Sequence, residues 1–117
     1  MARTSVTTQK VSYAGVSTAG ASPTAEGDIV DTGGTVFLLV SNTGAASATV
    51  TIQTPATYDS LAVEDLTVSL PAGASKAIGP LRTETFGFPA GDVNAGKAFI
   101  DYTGTVADLK RTVLSLT

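Results

Sequence analysis

The sequence predicts an all-β domain: a small β-sandwich or partly closed β-barrel of about eight short antiparallel strands with a flexible N-terminal arm. Two observations carry this. Short runs place apolar residues at alternate positions, and clusters of Gly, Pro, Asn and Ser interrupt those runs every 10–12 residues or so. A third excludes the alternative: glycines and β-branched residues are spread so evenly that no stretch sustains a long helix. At 117 residues the chain suits one domain.

The elements follow in order. Residues 1–25 form the arm. Its large apolar residues are Val6, Val11, Tyr13 and Val16. Residues 6–13 read as one strand, and residues 14–25 (AGVSTAGASPTA) as a low-complexity flexible piece. Residues 26–117 form the domain proper. Residues 27–31 are a short strand. Residues 35–41 hold the run Val36-Phe37-Leu38-Leu39-Val40, expected of a central strand covered on both faces. Asn42-Thr43-Gly44 turns the chain, and residues 47–54 alternate Ala48, Val50 and Ile52 against Thr49, Thr51 and Gln53. These two strands read as the clearest hairpin. Residues 58–65 (YDSLAVED) read as one or two helical turns capped by Asp59 or Ser60. Residues 66–70 and 75–81 flank the tight turn Pro71-Ala72-Gly73-Ala74. Phe86 and Phe88 share a face, and residues 97–103 and 106–116 supply the last strands. The expected core is Val36, Leu38, Val40, Val50, Ile52, Leu66, Val68, Ile100 and Leu114, with Tyr102 at its edge.

Composition narrows the function. There is no cysteine and no histidine. Thiol chemistry, zinc sites and the commonest general base are therefore missing. No phosphate-cradling glycine loop and no nucleophile elbow occur. The net charge is −3 and the pI about 4.6, which disfavours nucleic acid as a partner. Charged residues make up 15% of the chain, well under the usual share, so the surface is largely Thr, Ser and Ala. That suits a surface partly covered by neighbours. No apolar run is long enough to span a bilayer, and no apolar leader follows Met1. The start at Met1 reads as a complete small protein made in the cytoplasm.

Carboxylates are the remaining chemistry. Asp28, Asp31, Glu64 and Asp65 read as exposed, solubilising groups. A calcium site from Asp28, Asp31 and a loop carbonyl is the weaker alternative, since no EF-hand spacing supports it. The expectation is therefore no enzyme activity, no catalytic residue, no metal and no cofactor. Candidate partner contacts are Arg3 and Lys10, which make the arm locally basic, and Tyr58, the best candidate for an exposed aromatic. The arm is expected to lie against an acidic stretch of a partner or of a neighbouring copy.

Three stretches together resemble a family. They are Phe37-Leu38-Leu39-Val40-Ser41-Asn42-Thr43-Gly44 leading to Val50-Thr51-Ile52-Gln53-Thr54-Pro55, then Leu70-Pro71-Ala72-Gly73 leading to Ile78-Gly79-Pro80-Leu81, then Ala98-Phe99-Ile100-Asp101-Tyr102. This order resembles the capsid decoration (cement) proteins of tailed phages of actinobacteria, over roughly residues 35–117. The resemblance implies a β-rich virion protein bound to the outside of a capsid lattice, with the major capsid protein as partner and no enzyme activity. A homotrimer would suit three-fold lattice positions. The alternatives are an immunoglobulin-like binding or adhesin module, or a head–tail connector or tail component.

Overall fold

A computed structural model describes residues 3–16, 20–23, 25–55 and 57–116. Two sheets face each other. The five-stranded sheet has the order β1 (Thr4–Ser5), β3 (Asp28–Asp31), β10 (Lys97–Thr103), β5 (Ala48–Ile52) and β8 (Leu66–Leu70). The four-stranded sheet runs β2 (Gln9–Lys10), β11 (Leu109–Ser115), β4 (Val36–Asn42) and β9 (Ser75–Ile78). A separate two-stranded hairpin joins β6 (Thr57–Tyr58) to β7 (Leu61–Ala62). The all-β, sandwich-like architecture matches the fold class expected from alternation.

The chain changes sheets at nearly every step, and this corrects two readings. β4 and β5 are not a hairpin: β4 pairs with β11 and β9, whereas β5 pairs with β10 and β8. The turn after Asn42 carries the chain across the sandwich. Asn42 is buried, and its amide holds that crossing by donating to the carbonyls of Ala46 at 2.8 Å and Leu70 at 3.0 Å. The Pro71–Ala74 turn likewise joins β8 to β9 across the two sheets. β4 is also not covered equally on both faces. Its burial alternates, with Val36, Leu38 and Val40 inward and Phe37 and Leu39 half-buried outside.

Side-chain alternation builds the core. Leu38, Val40, Val50, Ile52, Ile100 and Val113 are fully enclosed, joined by Val30, Leu70, Leu81, Ala98 and Leu109. Two expected core residues lie elsewhere. Leu66 opens the edge strand β8 and stays 39% exposed, because no further strand flanks it. Leu114 is buried, but it stands opposite Phe37, on the face away from Val113 and the core cluster. Val68 packs only partly against the core.

Local chemistry explains the remaining differences. The expected helical turn over residues 58–65 is instead a tight strand pair, β6 and β7, followed by irregular chain. Asp59 and Ser60 adopt φ of 53° and 65°, the left-handed geometry that tight hairpins need. A four-residue helix, α1 (Thr83–Phe86), ends at Phe86, so Phe86 and Phe88 do not share the expected face. Phe86 packs on the core, while Phe88 meets the Phe99 ring on the outer side at a centroid distance of 4.5 Å. The sheets are not wholly antiparallel. β1 runs parallel to β3 and β2 parallel to β11, so the arm supplies a short strand to each sheet instead of one continuous strand.

Candidate partner-contact surface

The outer face of the five-stranded sheet has two chemically distinct halves. The half near β1 is a charged lattice. Arg3, just before β1, forms an ion pair with Asp101 at 2.7 Å, donates to the Ile100 carbonyl at 3.2 Å, and lies 4.4 Å above the Phe99 ring. Gln53 donates to the other oxygen of Asp101 at 2.8 Å. Asp31 pairs with Lys97, which sits directly opposite it across β3 and β10, and accepts a hydrogen bond from Thr8 at 2.5 Å. Those two donors hold the Asp31 carboxyl below the usual carboxylate range, against a small opposing effect of burial.

The other half carries hydroxyls. Strand register places Thr103, Thr49 and Ser69 in one cross-strand row, and Asp101, Thr51 and Thr67 in the next. Outward β positions filled by Thr and Ser give a level surface, with strands about 4.8 Å apart. Beyond Asp101, already engaged by Arg3 and Gln53, those rows present no charge.

Between the sheets lies a buried polar cluster that sequence reasoning missed. Asp28 is 0% exposed, not a surface carboxylate. Arg111, 9% exposed, reaches from the opposite sheet, with Nε 2.7 Å from Asp28 Oδ2 and Nη2 3.4 Å from Oδ1. The Tyr102 hydroxyl also donates to Asp28 Oδ2, at 2.7 Å. Burial, reinforced by the neighbouring carboxylate, pushes the Tyr102 phenol far above its ordinary value. The signal was present in the alternation: Asp28 shares the inward parity of Val30, and Arg111 that of Leu109 and Val113.

This arrangement separates the two carboxylates suggested for calcium. Asp28 points into the sandwich and is engaged by Arg111, while Asp31 lies outside with Lys97. Among the described residues no group of three His, Cys, Asp or Glu side chains is placed to hold a metal ion. Glu64 is exposed, and the exposed Asp65 accepts from the Thr54 backbone N–H at 2.8 Å.

The three candidate contacts are dispersed. Arg3 is spent on Asp101 and Phe99, with 20% of its side chain exposed. Lys10 ends β2 and is exposed. Tyr58 closes β6, in the separate two-stranded hairpin; its side chain lies outside the described set. No helix among the described residues is long and apolar enough to cross a membrane. Comparison of the chain with protein-family models, curated proteins and solved structures returns no match.

Proposed function

We propose that this chain is a non-enzymatic virion structural protein that decorates the outer surface of a phage capsid lattice, with the major capsid protein as partner and a homotrimer as the working form. The observation that carries the reading is the level hydroxyl half of the five-stranded sheet, Thr49, Thr51, Thr67, Ser69 and Thr103. A broad uncharged face suits apposition to another broad protein surface more than enclosure of a small ligand, for which concave sites are the rule. Such a face costs less to desolvate than a charged one, provided that the neighbour supplies hydrogen bonds to its hydroxyls.

Two further points support it. The stretches that resemble decoration proteins fall on β4, β5, β10 and the β8–β9 crossing, which adjoin one another in the two sheets. Copies linked on a repeating lattice also gain avidity of ~10²–10⁴, so each individual contact need not be tight. The test is co-sedimentation of the purified protein with empty capsids. Binding is expected, and Thr51→Lys with Thr67→Lys should weaken it. A protein that never sediments with particles overturns the reading.

A further inference from the structure

The large apolar side chains exposed among the described residues fall into two groups, with Val93 standing apart. Val11, Tyr13 and Leu116 line one hollow of about 440 Å³. Leu61, Val63 and Leu66 form the second group, with Leu61 69% exposed. Sheet order puts the first group and Leu66 on opposite sides of the sandwich, and Leu61 and Val63 precede Leu66 closely in the chain. Val11 follows β2, the edge strand of the four-stranded sheet, and its N–H donates to the Ser115 carbonyl beside Leu116. Leu66 opens β8, the opposite edge of the five-stranded sheet.

The charges beside these groups are of opposite sign. Lys10 adjoins Val11, is exposed, and has no ion-pair partner among the described residues. Asp59, Glu64 and Asp65 are interleaved in sequence with the second group and all are exposed. The open strand there also carries no charge of its own, Leu-Thr-Val-Ser-Leu, and nothing described pairs with its outer edge. The neighbouring edge strand β9 is instead blunted by Lys76.

We infer that the two edges are the halves of one head-to-tail contact between copies of this chain. Val11, Tyr13 and Leu116 of one copy receive Leu61, Val63 and Leu66 of the next, and Lys10 faces the next copy's carboxylates. Charge complementarity selects a second copy in this orientation. A self-complementary two-fold contact would set Lys10 against Lys10, or three carboxylates against three, and like charges oppose such pairing. A head-to-tail contact propagates to a ring or a filament, because each copy keeps one half free. The inference rests on the self-assembly half of the proposed function and not on the capsid.

The test uses two variants of the full chain in analytical ultracentrifugation. Tyr13→Glu with Leu116→Glu blocks one edge, and Leu61→Gln with Val63→Gln blocks the other, so that the two blocked edges do not attract each other. The wild type is expected to associate with rising concentration, less so in high salt. Each variant alone should associate about tenfold or more weakly, the scale of losing an anchor residue. Mixed together they should form a dimer that grows no further, since each retains the half the other lacks. A wild type monomeric at every concentration overturns the inference. So does a variant that self-associates normally, or a mixture that stays monomeric while both components melt like the wild type. If either doubly substituted variant melts early, the single changes Lys10→Glu and Glu64→Lys replace them: each should weaken self-association, and mixing the two should restore a contact. A failure of those two to weaken it also overturns the inference. Capsid co-sedimentation of the non-associating variants reports on lattice binding separately.

Discussion

Asp28 on β3 and Arg111 on β11 meet across the sandwich as a fork on a carboxylate, both removed from water. The pair ties the five-stranded sheet to the four-stranded one through side chains, with the Tyr102 hydroxyl donating to the same carboxylate. A buried charge pair is a weak source of net stability, but removing one partner leaves the other uncompensated. Asp28→Asn should therefore cost about 3–5 kcal/mol in a urea unfolding series. The joint replacement Asp28→Leu with Arg111→Met should cost less than Asp28→Asn alone. A single variant as stable as the wild type would mean that water reaches the pair.

Tyr102 donates to the same carboxylate oxygen and should report on it from the alkaline side. Its folded-state pKa is raised, whereas an unfolded tyrosine ionises near 10. Below about pH 10 the folded and unfolded states carry the same proton, and the contribution is fully present. Above that, the unfolded chain loses the proton first, so stability falls as pH rises. Tyr102→Phe removes a hydrogen bond to a charged group, worth about 1.5–3 kcal/mol at neutral pH. It should also flatten the alkaline decline between about pH 9 and 11. Equal alkaline slopes in the two proteins would place the Tyr102 phenol in contact with solvent.

Asp31 gives the opposite sign on the acid side. Its pKa is lowered by Lys97 and Thr8, so its contribution is present above about pH 4 and is lost as pH falls through the folded-state value. The side chain is 39% exposed, and screening limits the effect to roughly 1 kcal/mol or less. Asp31→Asn should lower stability slightly at neutral pH and lessen the acid decline. Raising the salt concentration at neutral pH should erase most of the difference between the two proteins. A difference unchanged by salt would point to the Thr8 hydrogen bond instead of the ion pair.

Strand positions and most of the core were legible because a period of two is local: residues 97–103 and Leu38, Val40, Val50, Ile52 and Ile100 follow from alternation alone. Pairing was not legible. Asn42-Thr43-Gly44 is compatible both with a hairpin and with a crossing between sheets, and only the amide contacts of Asn42 with Ala46 and Leu70 decide it. Alternation gives Asp28 the inward parity of Val30, but not the partner that makes a buried carboxylate tenable. Its burial depends on Arg111, 83 residues away, and no local pattern announces such a partner. The hydroxyl rows follow from register, which brings Thr49, Thr51, Thr67 and Ser69 together from two separate alternating runs.

Arm docking is testable at a glycine. Residues 20–22 are stitched to the start of β11. Ala21 exchanges backbone hydrogen bonds with Arg111 at 3.2 and 2.9 Å, and the Lys110 ammonium donates to the Ser22 hydroxyl at 2.8 Å. Gly20 makes the approach possible. Its φ is +70°, and a Cβ there would lie 2.6 Å from the Arg111 carbonyl oxygen and 2.7 Å from the Thr112 hydroxyl. Gly15 has a similar φ of +85° with nothing within 4 Å, so it isolates the cost of backbone strain. Gly15→Ala should cost about 1–2 kcal/mol, the price of left-handed backbone for a residue with a Cβ. Gly20→Ala should cost more, because Ala21 must also move away from Arg111. Hydrogen exchange should then quicken at the amides of Ala21 and Arg111 in Gly20→Ala and stay unchanged there in Gly15→Ala. Equal costs and equal exchange in the two variants would show that residues 20–22 contribute nothing to holding β11, which then rests on its pairing with β4 and on the Asp28–Arg111 contact.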